Sequence, residues 1–314
     1  MITGIDCSKD LLDIANIEDN QKVSFTEKFS NDKEGFGKLL THVEKSTLIV
    51  MEATGPYYMQ LALFLKRKGL IVAVVNPLVI RRFCQMRMSR AKTDKKDAIL
   101  IAQYGLLEKP AEWKAPSELV IQIQQTETYV EGLKKRKQIA YNQLHSFKHT
   151  GQLSKQLEKE IEEEIKAYNK KIAEKEKEIS GLLEKEHGKL VKNLKSIPGI
   201  GDRSAILLIL TTNGFKNFAS YKQLISYFGL APRIYESGSS VRGKARICKM
   251  GMSQVRKTLY MAAKSAIIYN KPCKELYDRL RAKGKAYRVA LIAVVNKLIK
   301  QAFAIAKSET AYAI

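Results

Sequence analysis

Four carboxylates are spaced for metal chemistry. Asp6 closes a short apolar run near the N-terminus and Glu52 closes another, while Asp94 and Asp97 stand together in Lys92-Thr93-Asp94-Lys95-Lys96-Asp97. The i, i+3 spacing of the last two puts both side chains on one face of a helix. Strand-end carboxylates converging on a helical pair are what a site for hard divalent cations requires. Mg2+ (or Mn2+) takes oxygen ligands and is held by a few carboxylates plus substrate phosphate. Two such ions clamp the attacking and leaving oxygens of a phosphodiester during in-line displacement. Arg81, Arg82, Arg87, Arg90, Lys92, Lys95 and Lys96 crowd the same segment. Acids for metal inside a basic surround point to an enzyme acting on nucleic-acid backbones. Singly, each acid is more often a cap or a surface charge, and Asp94 and Asp97 also suit the dipole at a helix N-terminus. The constellation is more specific than its members.

The elements that would position these acids follow from periodicity and breakers. Ile2–Cys7, Leu11–Glu18 and Lys22–Phe29 are predicted strands, the last two divided by the turn signal Glu18-Asp19-Asn20. Asn31-Asp32 caps a predicted helix through about Glu44, Thr47–Met51 is a fourth strand, Tyr57–Lys68 a helix, and Leu70–Val75 a fifth strand ended by Asn76-Pro77. Helices follow near 78–87 and 94–106. Three strands joined by short turns form an antiparallel meander, and strands separated by helices form parallel crossovers. The mixed order matches a ribonuclease H-like sheet with the Asp6 and Glu52 strands side by side at its centre.

Residues 117–193 are rich in Glu, Lys, Leu, Ile and Gln, with no proline between Pro116 and Pro198. Leu157, Ile161, Ile165, Tyr168, Ile172, Ile179 and Leu182 make a heptad-like stripe. Two long helices broken near Thr150-Gly151 are expected, either as an antiparallel hairpin within one chain or as an interface between chains. The charge run 158–178 is read as a solvated face. No apolar run is expected to reach the length of a membrane span.

Ile197-Pro198-Gly199-Ile200-Gly201 then forms a turn of helix-hairpin-helix type before the helical Arg203–Leu210. Gly199 and Gly201 either let backbone N–H groups approach a phosphate or serve only a tight packed turn. Tyr221–Phe228 is helical. Ser237-Gly238-Ser239-Ser240-Val241-Arg242-Gly243-Lys244-Ala245-Arg246 is expected as a flexible loop of hydroxyls and cations, and Ser253 as the cap of a helix to about Tyr269. A serine among phosphate-binding cations is a candidate nucleophile. No histidine lies nearby as its base, so activation would come from the carboxylate–metal site or from substrate geometry.

Charge is unevenly placed. The formal net charge is +23, and residues 191–314 hold 23 basic against 5 acidic side chains, a net +18. So basic a folded region is the footprint of nucleic-acid binding. Arg242, Lys244, Arg246, Lys249 and Arg256 are candidate phosphate contacts, as are Arg81, Arg82, Arg87, Arg90 and Lys92. No aromatic-rich amphipathic helix favours a membrane partner. Cys7, Cys84, Cys248 and Cys273 offer no CxxC pair for zinc and no disulfide framework, and no signal peptide is evident, so a cytoplasmic, nucleoid-associated prokaryotic protein is expected.

Gly4-Ile5-Asp6, Met51-Glu52-Ala53-Thr54-Gly55-Pro56-Tyr57 and Arg90–Ala98 resemble the DEDD transposases of the insertion-sequence family numbered one hundred and ten, to which Piv-type DNA invertases are related. Ile197–Gly201, Tyr227–Pro232, Ser237-Gly238, Ile247–Gly251 and Arg256–Tyr260 resemble that family's second domain, in the same order along the chain. The resemblance implies a RuvC-like domain with its DEDD residues on Asp6, Glu52, Asp94 and Asp97. It implies a catalytic serine best placed on Ser237, with Ser239 and Ser240 as neighbours. It also implies a structured guide RNA (a bridge RNA) pairing with donor and target DNA, and a homo-oligomer, dimer or tetramer, in which the acids of one subunit meet the serine of another.

The expected organisation is thus α/β plus all-α. It has a ribonuclease H-like domain over 1–115, a long-helix coiled-coil region over 116–193 and a basic, mostly helical domain over 194–314. The expected function is RNA-guided, metal-dependent DNA recombination through a phosphoserine link. The competing readings are a RuvC-like nuclease that hydrolyses junctions with water, and a non-catalytic basic scaffold.

Overall fold

A computed structural model describes residues 1–88, 93–233 and 246–313, and between 234 and 245 the backbone of 236–237 and 241–242. The chain divides into two compact units, 1–115 and 116–314.

In the first unit, strands β1 (Ile2–Cys7), β2 (Leu11–Ile17), β3 (Val23–Ser30), β4 (Leu48–Glu52) and β5 (Ile71–Val75) form one sheet in the order β3-β2-β1-β4-β5. The β1–β2 and β2–β3 pairs are antiparallel, whereas β1–β4 and β4–β5 are parallel. The meander followed by crossovers is thus present. Side chains alternate faces along each strand. Ile5, Cys7, Leu12, Ile14 and Met51 bury one face against helices α1 (Lys33–Leu40) and α2 (Met59–Arg67), through Phe36, Leu39, Leu61 and Leu65. Each such side chain contributes about 1.5–3 kcal/mol by leaving water. Val50, Ala73 and Val75 bury the other face with Ile80 of α3 (Pro77–Met86) and Ile101 of α4 (Asp94–Glu108). Side-chain oxygens fix the helix starts: Asp32 accepts from Gly35 N, Asn76 from Leu78 N and Thr93 from Lys96 N. Helix α1 stops at Leu40, short of the expected Glu44.

In the second unit, α5 (Glu118–His149) and α6 (Lys155–Lys195) form an antiparallel hairpin within the chain, the first of the two expected arrangements. Val130, Leu133, Ile172 and Ile179 are buried in its seam, and Lys134–Glu176 and Lys148–Glu158 bridge its flank. The base of this hairpin shares one hydrophobic core with α7 (Asp202–Thr212), α8 (Tyr221–Tyr227), α9 (Ser253–Tyr269), α10 (Lys271–Ala282) and α11 (Tyr287–Ser308). Thus the region 116–193 and the helices after it form one compact body.

Three expectations change here. The segment read as a loop contains nested ribbons: β6 (Pro232–Arg233) pairs with β9 (Arg246–Ile247), and β7 (Glu236–Ser237) with β8 (Val241–Arg242). Ser253 is the first residue of α9 rather than its cap, since Met252 holds the cap position without a side-chain hydrogen bond. Finally, α11 is long and apolar enough by length and composition to cross a membrane, contrary to the expectation that no run reaches that length. In this fold its Leu291, Val294, Val295, Leu298 and Ile299 are buried in the core of the second unit.

Candidate acidic centre and nucleic-acid interface

Close backbone contact builds the acidic centre. Ile2, Gly4 and Asp6 share the β1 face that looks toward α4, and Val50 and Glu52 share the corresponding face of β4. A Cβ on Gly4 would stand 2.3 Å from both the Ala98 carbonyl oxygen and the Ala102 nitrogen. Only glycine lets α4 lie so near the strand. One turn further along, a Cβ on Gly105 would meet Ile2 and Val50. Position 105 thus covers 2 and 50, and positions 102 and 98 cover 4. The first turn of α4, with Asp94 and Asp97, therefore reaches the strand ends that carry Asp6 and Glu52. The parallel register pairs Gly4 with Val50 and Ile5 with Met51, so Asp6 and Glu52 come next on adjacent strands.

Electrostatics report the same convergence. The Asp6 carboxyl is pushed up to about 6, first by burial and then by the negative charges of Asp97, Glu52, Asp94 and Asp13. Thr54 donates to Glu52 at 2.7 Å, just beyond the strand end. Among the described residues no three His, Cys, Asp or Glu side chains stand close enough to hold one metal ion as placed. The donor set still fits a hard divalent cation: the ligands are oxygens, their mutual repulsion is what a cation would relieve, and Asp94 is exposed and able to turn inward.

Asp13, absent from the sequence reading, belongs to this neighbourhood. It lies directly across from Asp6 in the β1–β2 register and is buried, with Lys28 3.3 Å away. Its charge is thereby compensated, which suits a supporting role. The signal that could have found it is its cross-strand pairing with Asp6. Cys7, buried beside these acids, has its thiol pushed up to about 12 by burial and by the charges of Asp6 and Glu52, which disfavours the thiolate.

The basic residues are placed less uniformly. Arg81, Arg82 and Arg87 are exposed on or just after α3, with Arg82 donating to Gln85 and Arg87 lying over the Phe83 ring. Arg90 and Lys92 lie outside the described residues, as do Ser239, Ser240 and Lys244. Ser237 and Arg242 lie on the paired strands β7 and β8. Arg246 and Lys249 are exposed. Arg256 donates to the Phe228 carbonyl at 3.0 Å, which leaves its other donors for a phosphate.

The two hairpin glycines differ. Gly199 has a positive φ of 103°, and a Cβ there would stand 2.7 Å from the Ala266 Cβ, so packing on α9 alone requires it. The neighbouring Pro198 carbonyl accepts from the buried Asn270. Gly201 has open space and holds the N-cap position of α7. Arg203, next on α7, was not singled out by the sequence. Its guanidinium joins Glu127 and Glu131 of α5 to Glu176 of α6, clamping the long hairpin to the turn.

The sheet order and acid cluster fit a DEDD-type, ribonuclease H-like domain joined to a helical domain. A DEDD-type family model described as "Transposase" matches residues 3–147, and one described as "Transposase IS116/IS110/IS902 family" matches residues 191–278. Two pilin gene-inverting proteins, from Moraxella bovis and Moraxella lacunata, are each 30% identical over 311 residues, covering 96% of this chain and 94% of theirs. An uncharacterized 43.6 kDa protein of insertion element IS110 from Streptomyces coelicolor is 32% identical over 137 residues, 44% of this chain and 33% of that protein. The chain belongs to the IS110 family of transposases. It is a DNA-recombination enzyme, and DEDD transposases are typically dependent on a divalent metal.

Proposed function

We propose that this enzyme exchanges DNA strands through a covalent serine link, guided by a structured RNA and dependent on Mg2+ or Mn2+. What supports this reading is the charge that Asp97, Glu52 and Asp94 exert on Asp6 at the ends of β1 and β4, in a chain whose β7 carries Ser237 within a segment rich in cations. Asp6, Glu52, Asp94 and Asp97 would hold the cation, which would supply Lewis-acid withdrawal of charge from the scissile phosphate. Thr54 orients Glu52, and Lys28 keeps Asp13 from competing as a ligand.

Ser237 Oγ attacks the phosphorus. Its bond to phosphorus forms as the bond to the leaving deoxyribose oxygen breaks, and the serine proton ends on that oxygen. Attack by a hydroxyl of another strand reverses the step and frees the serine, so no external energy source is needed. Arg242, Lys244, Arg246, Lys249 and the remaining donors of Arg256 neutralise phosphates near the serine, while Arg81, Arg82, Arg87, Arg90 and Lys92 do so near the acids. Gly201 offers backbone N–H groups at the start of α7. The working unit is a homo-oligomer in which the acids of one subunit meet Ser237 of another.

The test is to quench the reaction in denaturant with end-labelled donor DNA and map any peptide left on the strand. Label should remain on wild-type protein at Ser237 and disappear in Ser237→Ala. An adduct on Ser239 or Ser240 keeps the chemistry and moves the residue. Efficient cleavage with no adduct overturns the serine step in favour of hydrolysis.

A further inference from the structure

An open groove of about 720 Å³ runs between α9 and α11, lined by Ile247, Tyr260, Lys264, Tyr287, Arg288 and Ile292. Its make-up is selective. Every ionisable group on its wall other than the tyrosines is a cation, and no carboxylate lines it. Lys264, Tyr287 and Arg288 are exposed, whereas Tyr260 and Ile292 are half-buried. The Tyr287 ring is steadied by an edge-on contact with Tyr277, with centroids 6.1 Å apart and planes at 84°. A steadied ring beside two cations on an apolar floor suits a ligand with one flat face and one negative charge. An unpaired nucleotide has both. A base pair within a duplex does not, because its faces are already stacked.

A second observation points to a polyanion at the same place. Ile247 of the groove lies on β9, where the adjacent pair sets Arg246 directly across from Arg233 on β6. Like charges directly opposite each other in a sheet repel. Both arginines are exposed, and among the described residues neither makes an ion pair with a carboxylate. A strand phosphate between them would offset the repulsion. In chain order β7, which carries Ser237, and β8 lie between β6 and β9, so Ile247 of the groove closes the segment that would deliver the nucleophile.

We infer that the α9–α11 groove is a binding site for one unpaired nucleotide, its base stacked on Tyr287 and its phosphate held by Lys264 and Arg288. The inference rests on the proposed strand-exchange reading, in which a nucleotide must leave its duplex near the scissile phosphate. An exchanging DNA strand and a guide RNA both supply such a nucleotide, since base and phosphate chemistry are shared.

The experiment uses the full-length protein and short oligonucleotides containing 2-aminopurine, as single-stranded DNA, single-stranded RNA and duplex DNA. Fluorescence reports stacking and anisotropy reports affinity, each at several salt concentrations. Wild-type protein should quench 2-aminopurine in a single strand. Tyr287→Ala should lose the quenching and bind single strands about tenfold more weakly, in the range for losing one stacked base. Tyr287→Phe should restore both, since stacking needs the ring and not the hydroxyl. Lys264→Ala with Arg288→Ala should weaken single-strand binding and flatten its salt dependence. Quenching with DNA alone assigns the site to an exchanging strand, and with RNA alone to the guide. Unchanged quenching in Tyr287→Ala, or equal losses for single strand and duplex, overturns the inference. A thermal melt of each variant excludes misfolding as the cause. If wild-type protein forms the serine adduct but shows no quenching, the groove assignment fails and the strand-exchange reading stands. Quenching in a protein that never forms the adduct has the opposite meaning.

Discussion

The acidic centre and the basic ribbon handle charge in opposite ways. The acids are held together by backbone packing that ignores their repulsion. Gly4 and Gly105 seat α4 against β1 and β4, and the carboxylates are carried to one place whether or not that place is favourable. The cost appears in Asp6, whose carboxyl is raised to about 6. Among the described residues of 232–256, Arg233, Arg242 and Arg246 sit on two-residue strands and Lys249 in the exposed segment after β9, while Arg256 starts α9 half-buried against the core. A rigid frame suits ligands that must meet an ion within a few tenths of an ångström, whereas an exposed ribbon suits groups that must follow a nucleic-acid backbone. Precision is built where like charges meet, and reach is built where opposite charges will arrive.

The strongest way to break this contrast is to remove one acid. Asp94→Asn should reduce strand exchange by a factor of about 1,000 or more, the scale expected when an electrostatic catalytic element is lost, while nucleic-acid binding stays near wild type in a gel-shift assay. Wild-type rates in this variant would mean that the frame positions something other than a metal site.

A second break is to disturb the frame and leave the acids in place. Gly4→Val puts side-chain atoms where the Ala98 and Ala102 backbone now lies, and should destabilise the first unit by about 3 kcal/mol or more, at or beyond the upper end of the overpacking range. Chemical denaturation of the full chain checks this. An unaffected transition would show that α4 is not seated on β1 as described.

The ribbon calls for a gentler test. Replacing Arg242, Lys244 and Arg246 with alanine should weaken binding to all sequences about equally. It should also lower the slope of log affinity against log salt by up to about 3, close to one unit per lost phosphate contact. A change in sequence preference would mean instead that these residues read base edges.

How much of this was legible differs between the same two regions. In the first unit, alternation, cap residues and turn signals locate every strand, and the four acids are readable because strand order follows from element order. Asp13 was missed because its link to Asp6 is a cross-strand register, invisible in linear spacing. Arg203 was missed for a related reason: its carboxylate partners lie 27 to 76 residues away along the chain. In the second unit, the heptad stripe announces the long helices, but not that they pack as a hairpin. The ribbons were read as a loop because two-residue strands exist only by pairing with each other. Helix α11 escaped notice as an apolar run because Lys297 and Lys300 interrupt it, although its buried face is continuous.

The most direct measurement of the central claim, that these carboxylates form a cation site, is the thermal melt of wild type and Asp6→Asn with and without Mg2+. A carboxyl with a raised pKa adds stability below its unfolded value of 3.8 and loses it as pH rises through about 6, so at neutral pH the ionised Asp6 destabilises the metal-free protein. Without metal, Asp6→Asn should therefore be more stable than wild type at pH 7.5 by about 1 kcal/mol after allowance for solvent screening, and so melt higher. Mg2+ should raise the wild-type melting temperature at pH 7.5. It should do so much less at pH 5, where Asp6 holds its proton, and hardly at all in the variant. Equal Mg2+ shifts in both proteins, or a lower metal-free melting point for Asp6→Asn, would contradict the assignment.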